Sequence, residues 1–214
     1  MSPIEFEIVT LVVGQMAANC YLLIDKKKRE TLIVDPGDAP EYITDKITQL
    51  DCNPKMILAT HGHFDHIMGA FALQQAYTIP FYIHKEDAFL VERMSESAQH
   101  FLETKIVDPP PVVNQTFVDK MTVNIGTAVF TVMHTPGHTP GSICLFNKKE
   151  NSLFTGDTIF AGGAVGRTDF SYSEPKKLVS SISSILELPE NTELYPGHGE
   201  KTTVRKERMH HIQS

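Results

Sequence analysis

Thr60-His61-Gly62-His63-Phe64-Asp65-His66 packs four metal-capable side chains, His61, His63, Asp65 and His66, into six residues. No other stretch constrains the fold as strongly. Lys55 to Thr60, just before it, reads as a buried strand, and Ile67 to Tyr77, just after it, reads as a helix beginning at His66. The cluster therefore belongs on a strand-to-helix loop, where His61 and His63 can face one point while Asp65 and His66 face a second. Imidazoles and a carboxylate gathered beside a strand are costly to desolvate without a cation. Neutral imidazole together with carboxylate suits Zn, with Fe or Mn as alternatives, and one loop of this kind could serve two divalent metals.

The 214 residues have 41% hydrophobic and 21% charged content, globular values that predict a single domain over residues 1–214. A formal net charge of −7 opposes a non-specific grip on phosphate backbones, so nucleic acid is not an expected partner. Met1 to Glu7 lacks the basic start and apolar run of a secretory signal, and no apolar run approaches membrane-spanning length. Cys20, Cys52 and Cys144 are widely spaced, with no CxxC, and read as packing residues of a reducing interior. A cytoplasmic protein without a membrane partner is expected. The sequence leaves the oligomeric state open.

Phe6 to Val13, Cys20 to Asp25 and Glu30 to Asp35 read as an antiparallel meander, with Lys26-Lys27-Lys28-Arg29 as a charged turn. Asp35-Pro36-Gly37-Asp38 carries turn chemistry, and Ala39 to Leu50 has helical spacing. Phe81 to His84 is a short strand, Lys85 to Thr104 a polar helical stretch, and Val107-Asp108-Pro109-Pro110-Pro111 a break. The region from Val91 to Gln115 reads as a surface excursion flanking the site. A second β-rich half follows, with strands at Met121 to Ile125, Ala128 to His134, Ser142 to Phe146 and Ser152 to Gly156, a helix over Ser173 to Leu188, and a last strand at Thr192 to Tyr195. Two β-rich halves closing with helices predict a two-sheet α/β sandwich with helices outside.

Three later stretches end a strand with a polar residue beside glycine: His134-Thr135-Pro136-Gly137-His138-Thr139-Pro140-Gly141-Ser142, Thr155-Gly156-Asp157-Thr158 and Pro196-Gly197-His198-Gly199. Glycine lets the backbone approach a ligand closely. Each stretch offers one candidate: His138, Asp157 and His198. Alone, Asp157 reads as a turn cap and His198 as a loop histidine. With the first cluster they complete two sets, His61, His63, His138 and Asp65, His66, His198, with Asp157 able to bridge them and a position left for water, as in catalytic sites.

These residues resemble the metallo-β-lactamase superfamily, whose pattern is HxHxDH, a distant His, a bridging Asp and a last His. The match runs from the first strands through Gly199 and is most similar to the short bacterial glyoxalase II-like hydrolases. The resemblance implies a four-layer αβ/βα sandwich of two mixed sheets and a binuclear site between them. It assigns metal-ligand roles to His61, His63, Asp65, His66, His138, Asp157 and His198. It makes Asp35 the partner of a ligand histidine, a role that spacing alone does not separate from that of a turn residue. The expected reaction is hydrolysis of a small-molecule acyl-thioester such as S-D-lactoylglutathione by metal-activated hydroxide, with Asp65 or Asp157 orienting its proton. The longer glyoxalase II enzymes carry a C-terminal helical extension whose basic side chains help bind glutathione, whereas the sequence here runs to Ser214, soon after His198. In Phe160 to Phe170 the one cation is Arg167, suited either to a substrate carboxylate or to an ion pair with Asp169. The alternatives are a mononuclear Fe(II) persulfide dioxygenase held by His61, His138 and Asp157, a promiscuous lactone or β-lactam hydrolase, and a non-catalytic, metal-stabilised binding protein.

Overall fold

A computed structural model describes residues 6–103 and 108–211. Its architecture is two six-stranded sheets packed face to face with helices on both outer faces. The first sheet has the order β1 (Phe6–Val13), β2 (Ala18–Asp25), β3 (Glu30–Val34), β4 (Asn53–Leu58), β5 (Phe81–His84) and β6 (Val113–Phe117). Pairing is antiparallel from β1 to β3 and parallel from β3 to β6, so the sheet is mixed. The second runs from β7 (Thr122–Ile125) through β8 (Ala128–His134), β9 (Ile143–Asn147), β10 (Ser152–Gly156) and β11 (Glu193–Pro196) to the two-residue β12 (Thr202–Thr203). Only β10 and β11 are parallel.

The layers follow from period-2 burial. In β2 the side chains of Tyr21 and Leu23 join the core between the sheets, with Phe130, Phe154 and Tyr195 opposite, while Cys20, Leu22 and Ile24 point the other way. There they meet the helices α1 (Pro40–Gln49), α2 (Phe64–Ile67), α3 (Ala70–Tyr77), α4 (Ala88–Glu92) and α5 (Met94–Leu102). A strand buried on both faces reads as continuously apolar, as this one does. On the far side α6 (Pro175–Leu186) lays Leu178, Ile182 and Ile185 on the second sheet, and α7 (Val204–His211) adds Val204. Burying those three α6 side chains is worth roughly 1.5–3 kcal/mol each.

Two expectations are corrected. The helix over Ile67 to Tyr77 is broken at Met68 and Gly69 into α2 and α3, with Asp65 and His66 inside the first turn. The Asp35-Pro36-Gly37 turn causes the break by capturing the Gly69 N–H on the Pro36 carbonyl at 2.9 Å. The supposed surface excursion from Val91 to Gln115 is largely fold: Val91, Met94 and Ala98 are buried core, and Val113 to Gln115 begin the edge strand β6. The expected helix end at Thr104 and the start of the expected break at Val107 lie outside the described residues.

Parallel strands bring their C-terminal ends to the same edge, and here that fact builds the site. Asp35 follows β3, the His61 to His66 segment follows β4, Asp157 follows β10 and His198 lies just beyond β11. The β8–β9 connection adds His138. The sheets are tied at this edge: the Ile143 N–H donates to the Thr60 carbonyl at 2.9 Å and the Asn19 N–H to that of Gly197 at 2.7 Å. The Tyr21 hydroxyl donates to the Pro196 carbonyl at 2.6 Å.

Candidate metal centre

All seven predicted side chains meet. His63 Nδ1 lies 3.1 Å from His61 Nε2 and 3.0 Å from His138 Nε2, so three ring nitrogens converge on one point. His198 Nε2 lies 3.3 Å from both His66 Nε2 and Asp65 Oδ2, which defines a second. Asp157 stands between them, with Oδ1 3.5 Å from His66 Nε2 and Oδ2 3.6 and 3.7 Å from the Nε2 atoms of His138 and His198. Each set could hold a metal ion. Asp157 approaches this closely because residue 197 is glycine; a Cβ there would collide with Asp157 and His66.

The donor set fits a pair of divalent cations by its unmet chemistry. Asp157 Oδ1 is buried with no hydrogen-bond partner, and a buried carboxylate oxygen left so is expensive unless a cation meets it. Burial, reinforced by the neighbouring imidazoles, pushes His61 and His63 well below the ordinary histidine value, which keeps their lone pairs free. Burial acts against the charge on His66 too, but Asp157, Asp65 and Asp35 outweigh it and raise His66 to about 10. For Asp65, burial is outweighed by His66 and His198, which hold its carboxyl well below the usual range.

Asp35 is not a turn residue only. Its Oδ2 lies 3.1 Å from His66 Nδ1 and accepts from the Thr60 hydroxyl at 2.6 Å, while Oδ1 accepts the Thr60 N–H at 2.7 Å. Thr60 Oγ1 in turn stands 3.2 Å from His61 Nδ1. One buried carboxylate therefore orients an imidazole in each set.

Asp87 escaped the sequence reading. It falls without a role of its own in the polar helical stretch Lys85 to Thr104, and its carboxylate makes no cap hydrogen bond to α4. It accepts instead from the Gly62 N–H at 2.8 Å, the Gly141 N–H at 2.6 Å and the Thr139 hydroxyl at 2.7 Å. It thus clamps the His61–His63 loop to the His138 loop. Asp87→Ala is expected to destabilise the metal-free protein by about 2–6 kcal/mol, since two backbone N–H groups lose their acceptor at about 1–3 kcal/mol each. Urea unfolding checks this, and a loss below about 1 kcal/mol would contradict the clamp.

The site opens on a cleft of about 500 Å³ walled by Met16, Phe64, Phe101, Phe170 and Tyr172, with His63, Asp65, His138, Asp157 and His198 at its floor. Arg167 is on the wall, lying 4.5 Å over the Phe170 ring and forking onto Asp169 at 2.7 and 2.5 Å.

A fold of this kind carrying paired His/Asp sets at the strand ends defines a metal-site class, and the comparisons agree. The chain belongs to the metallo-beta-lactamase superfamily, whose family model matches residues 13–198. Hydroxyacylglutathione hydrolase GloC of Haemophilus influenzae is 35% identical, over 95% of this chain and 95% of its own length. The crystal structure of the BLEG-1 B3 metallo-beta-lactamase superposes with a TM-score of 0.87 at 33% identity, covering 95% of this chain and 97% of that one. TTHA1623, solved in a di-iron-bound form, gives a TM-score of 0.85 at 33% identity, covering 94% and 96%. The relatives indicate a metallo-hydrolase. No described helix is long and apolar enough to cross a membrane.

Proposed function

We propose that this chain hydrolyses small-molecule acyl-thioesters, S-D-lactoylglutathione among them, with His61, His63 and His138 holding one divalent cation, Asp65, His66 and His198 a second, and Asp157 shared. The observation that carries this reading is the buried Asp157 Oδ1, without a hydrogen-bond partner, between two convergent ligand sets at the floor of an open cleft. Zinc is the metal of choice for such a set, with iron or manganese as substitutes. The cations supply Lewis acidity toward a carbonyl oxygen and lower the pKa of water.

The protein supplies the rest. Asp65 and Asp157 offer the carboxylate oxygens that orient the proton of an attacking water. Asp35 and Thr60 keep His66 and His61 from turning. Phe64, Phe101 and Met16 offer a substrate an apolar wall, and Arg167 is placed to exchange Asp169 for a substrate carboxylate. No nucleic acid or membrane partner enters this reading, and a cytoplasmic setting suits it. The glutathione thioester is favoured by the hydroxyacylglutathione hydrolase relative.

Zinc-loaded protein is expected to cleave S-D-lactoylglutathione with kcat/KM of about 10⁴ M⁻¹s⁻¹ or more. Absence of thioester cleavage, with oxygen consumed on glutathione persulfide by protein holding one iron, would replace the hydrolase by the dioxygenase.

A further inference from the structure

Each of the five candidate ligand imidazoles turns one nitrogen into the centre and sets the other against an oxygen. His61 Nδ1 meets Thr60 Oγ1 at 3.2 Å, His66 Nδ1 meets Asp35 Oδ2 at 3.1 Å, and His138 Nδ1 meets the Arg167 carbonyl at 2.8 Å. His198 Nδ1 meets the Ala17 carbonyl at 3.3 Å. The fifth differs in kind. His63 alone presents Nδ1 inward, and its Nε2 lies 2.8 Å from the Tyr172 hydroxyl. The other four oxygens belong to backbone or to the buried side chains of Thr60 and Asp35. Tyr172 is a half-buried side chain on the cleft wall.

A carbonyl or carboxylate oxygen only accepts, and Thr60 Oγ1 already donates to Asp35. Those four contacts therefore require N–H on the outer nitrogen, so that in the neutral imidazole the lone pair lies on the inner one. His63 needs the same arrangement in mirror form, with N–H on Nε2, and Tyr172 Oη is the acceptor in place. The ring that carries this oxygen is held on two sides: Phe170 stacks on it with centroids 5.3 Å apart and planes 8° apart, and Phe89 packs edge-on at 5.5 Å.

We propose that Tyr172 is a positioning residue of the His61–His63–His138 set: its hydroxyl accepts the His63 Nε2–H and so fixes the tautomer that presents Nδ1. This rests on reading these histidines as metal ligands. Outer partners of metal-bound imidazoles are typically worth 10–100-fold in metal affinity. The cleft admits water as a partial replacement acceptor, which puts the expected effect at the low end.

The test is Zn²⁺ binding by Tyr172→Phe, which keeps the stacked ring and removes only the oxygen. Competition against a chromophoric chelator should show one of two zinc ions held about 10-fold more weakly than in the wild type. The second ion and the unfolding temperature of metal-free protein should not change, whereas a merely structural role would lower the latter. Two ions held within about twofold of wild-type affinity would overturn the proposal and leave the function standing. Failure of the wild type to bind zinc would remove the ground for both.

Discussion

Asp157→Ala is expected to abolish thioester hydrolysis, by at least about 10³-fold or roughly 4 kcal/mol of transition-state stabilisation, and to strip the metal from the protein. Among the described residues Asp157 is the one carboxylate in direct contact with both ligand sets, at 3.5, 3.6 and 3.7 Å from three of the imidazoles. The same substitution should do little to metal-free protein. Removing a buried oxygen that has no hydrogen-bond partner relieves a desolvation cost, which offsets the lost attraction for His66. Metal-free variant and metal-free wild type should then unfold within about 1 kcal/mol of each other, as buried polar groups trade on the order of 1–3 kcal/mol. Near-normal turnover with full metal content would refute the bridging role.

Removing both metal ions from the wild type should lower its unfolding temperature by about 20 °C, that is roughly 10 °C for each ion. Saturation at 1,000 times Kd stabilises by about 4 kcal/mol, and a chain of this size shifts by about 2–4 °C per kcal/mol. The loss depends on pH in a defined direction. With no cation present, burial opposes the charge on His66 but Asp157, Asp65 and Asp35 raise it from 6.5 to about 10. A group whose folded value is raised contributes its stability in full below the unfolded value and loses it as pH rises through the folded one. Metal-free protein should therefore weaken between about pH 6.5 and pH 10, and the gap between metal-bound and metal-free unfolding temperatures should widen over that range. Metal uptake near pH 7 should release the His66 proton, seen as a buffer-dependent heat of binding. A gap that narrows with rising pH would contradict this account.

The seven candidate ligands were legible in the sequence because each lies in a short run with its own local chemistry. HxHxDH sits between a strand and a helix, and His138, Asp157 and His198 each stand beside a glycine at a strand end. The two sheets were legible for the same reason: apolar runs such as Cys20 to Ile24 announce burial on both faces. What the sequence hid depends on distant placement. The polar strand β6 reads as loop because an edge strand pairs on one side only and leaves Asn114, Gln115 and Thr116 exposed. The break between α2 and α3 is imposed by the Asp35-Pro36-Gly37 turn, about thirty positions earlier in the chain. Asp87 and Tyr172 carry no motif, since their oxygens matter only for the loops that tertiary structure brings to them. Arg167 was legible as a cation, and the fork onto Asp169 is one of the two roles its sequence allowed.

The most direct test of the two-cation reading is the metal content per chain of protein purified without added metal. Two ligand sets sharing Asp157 predict close to two divalent ions per chain. A single ion per chain, unchanged when zinc is supplied in excess, would contradict it.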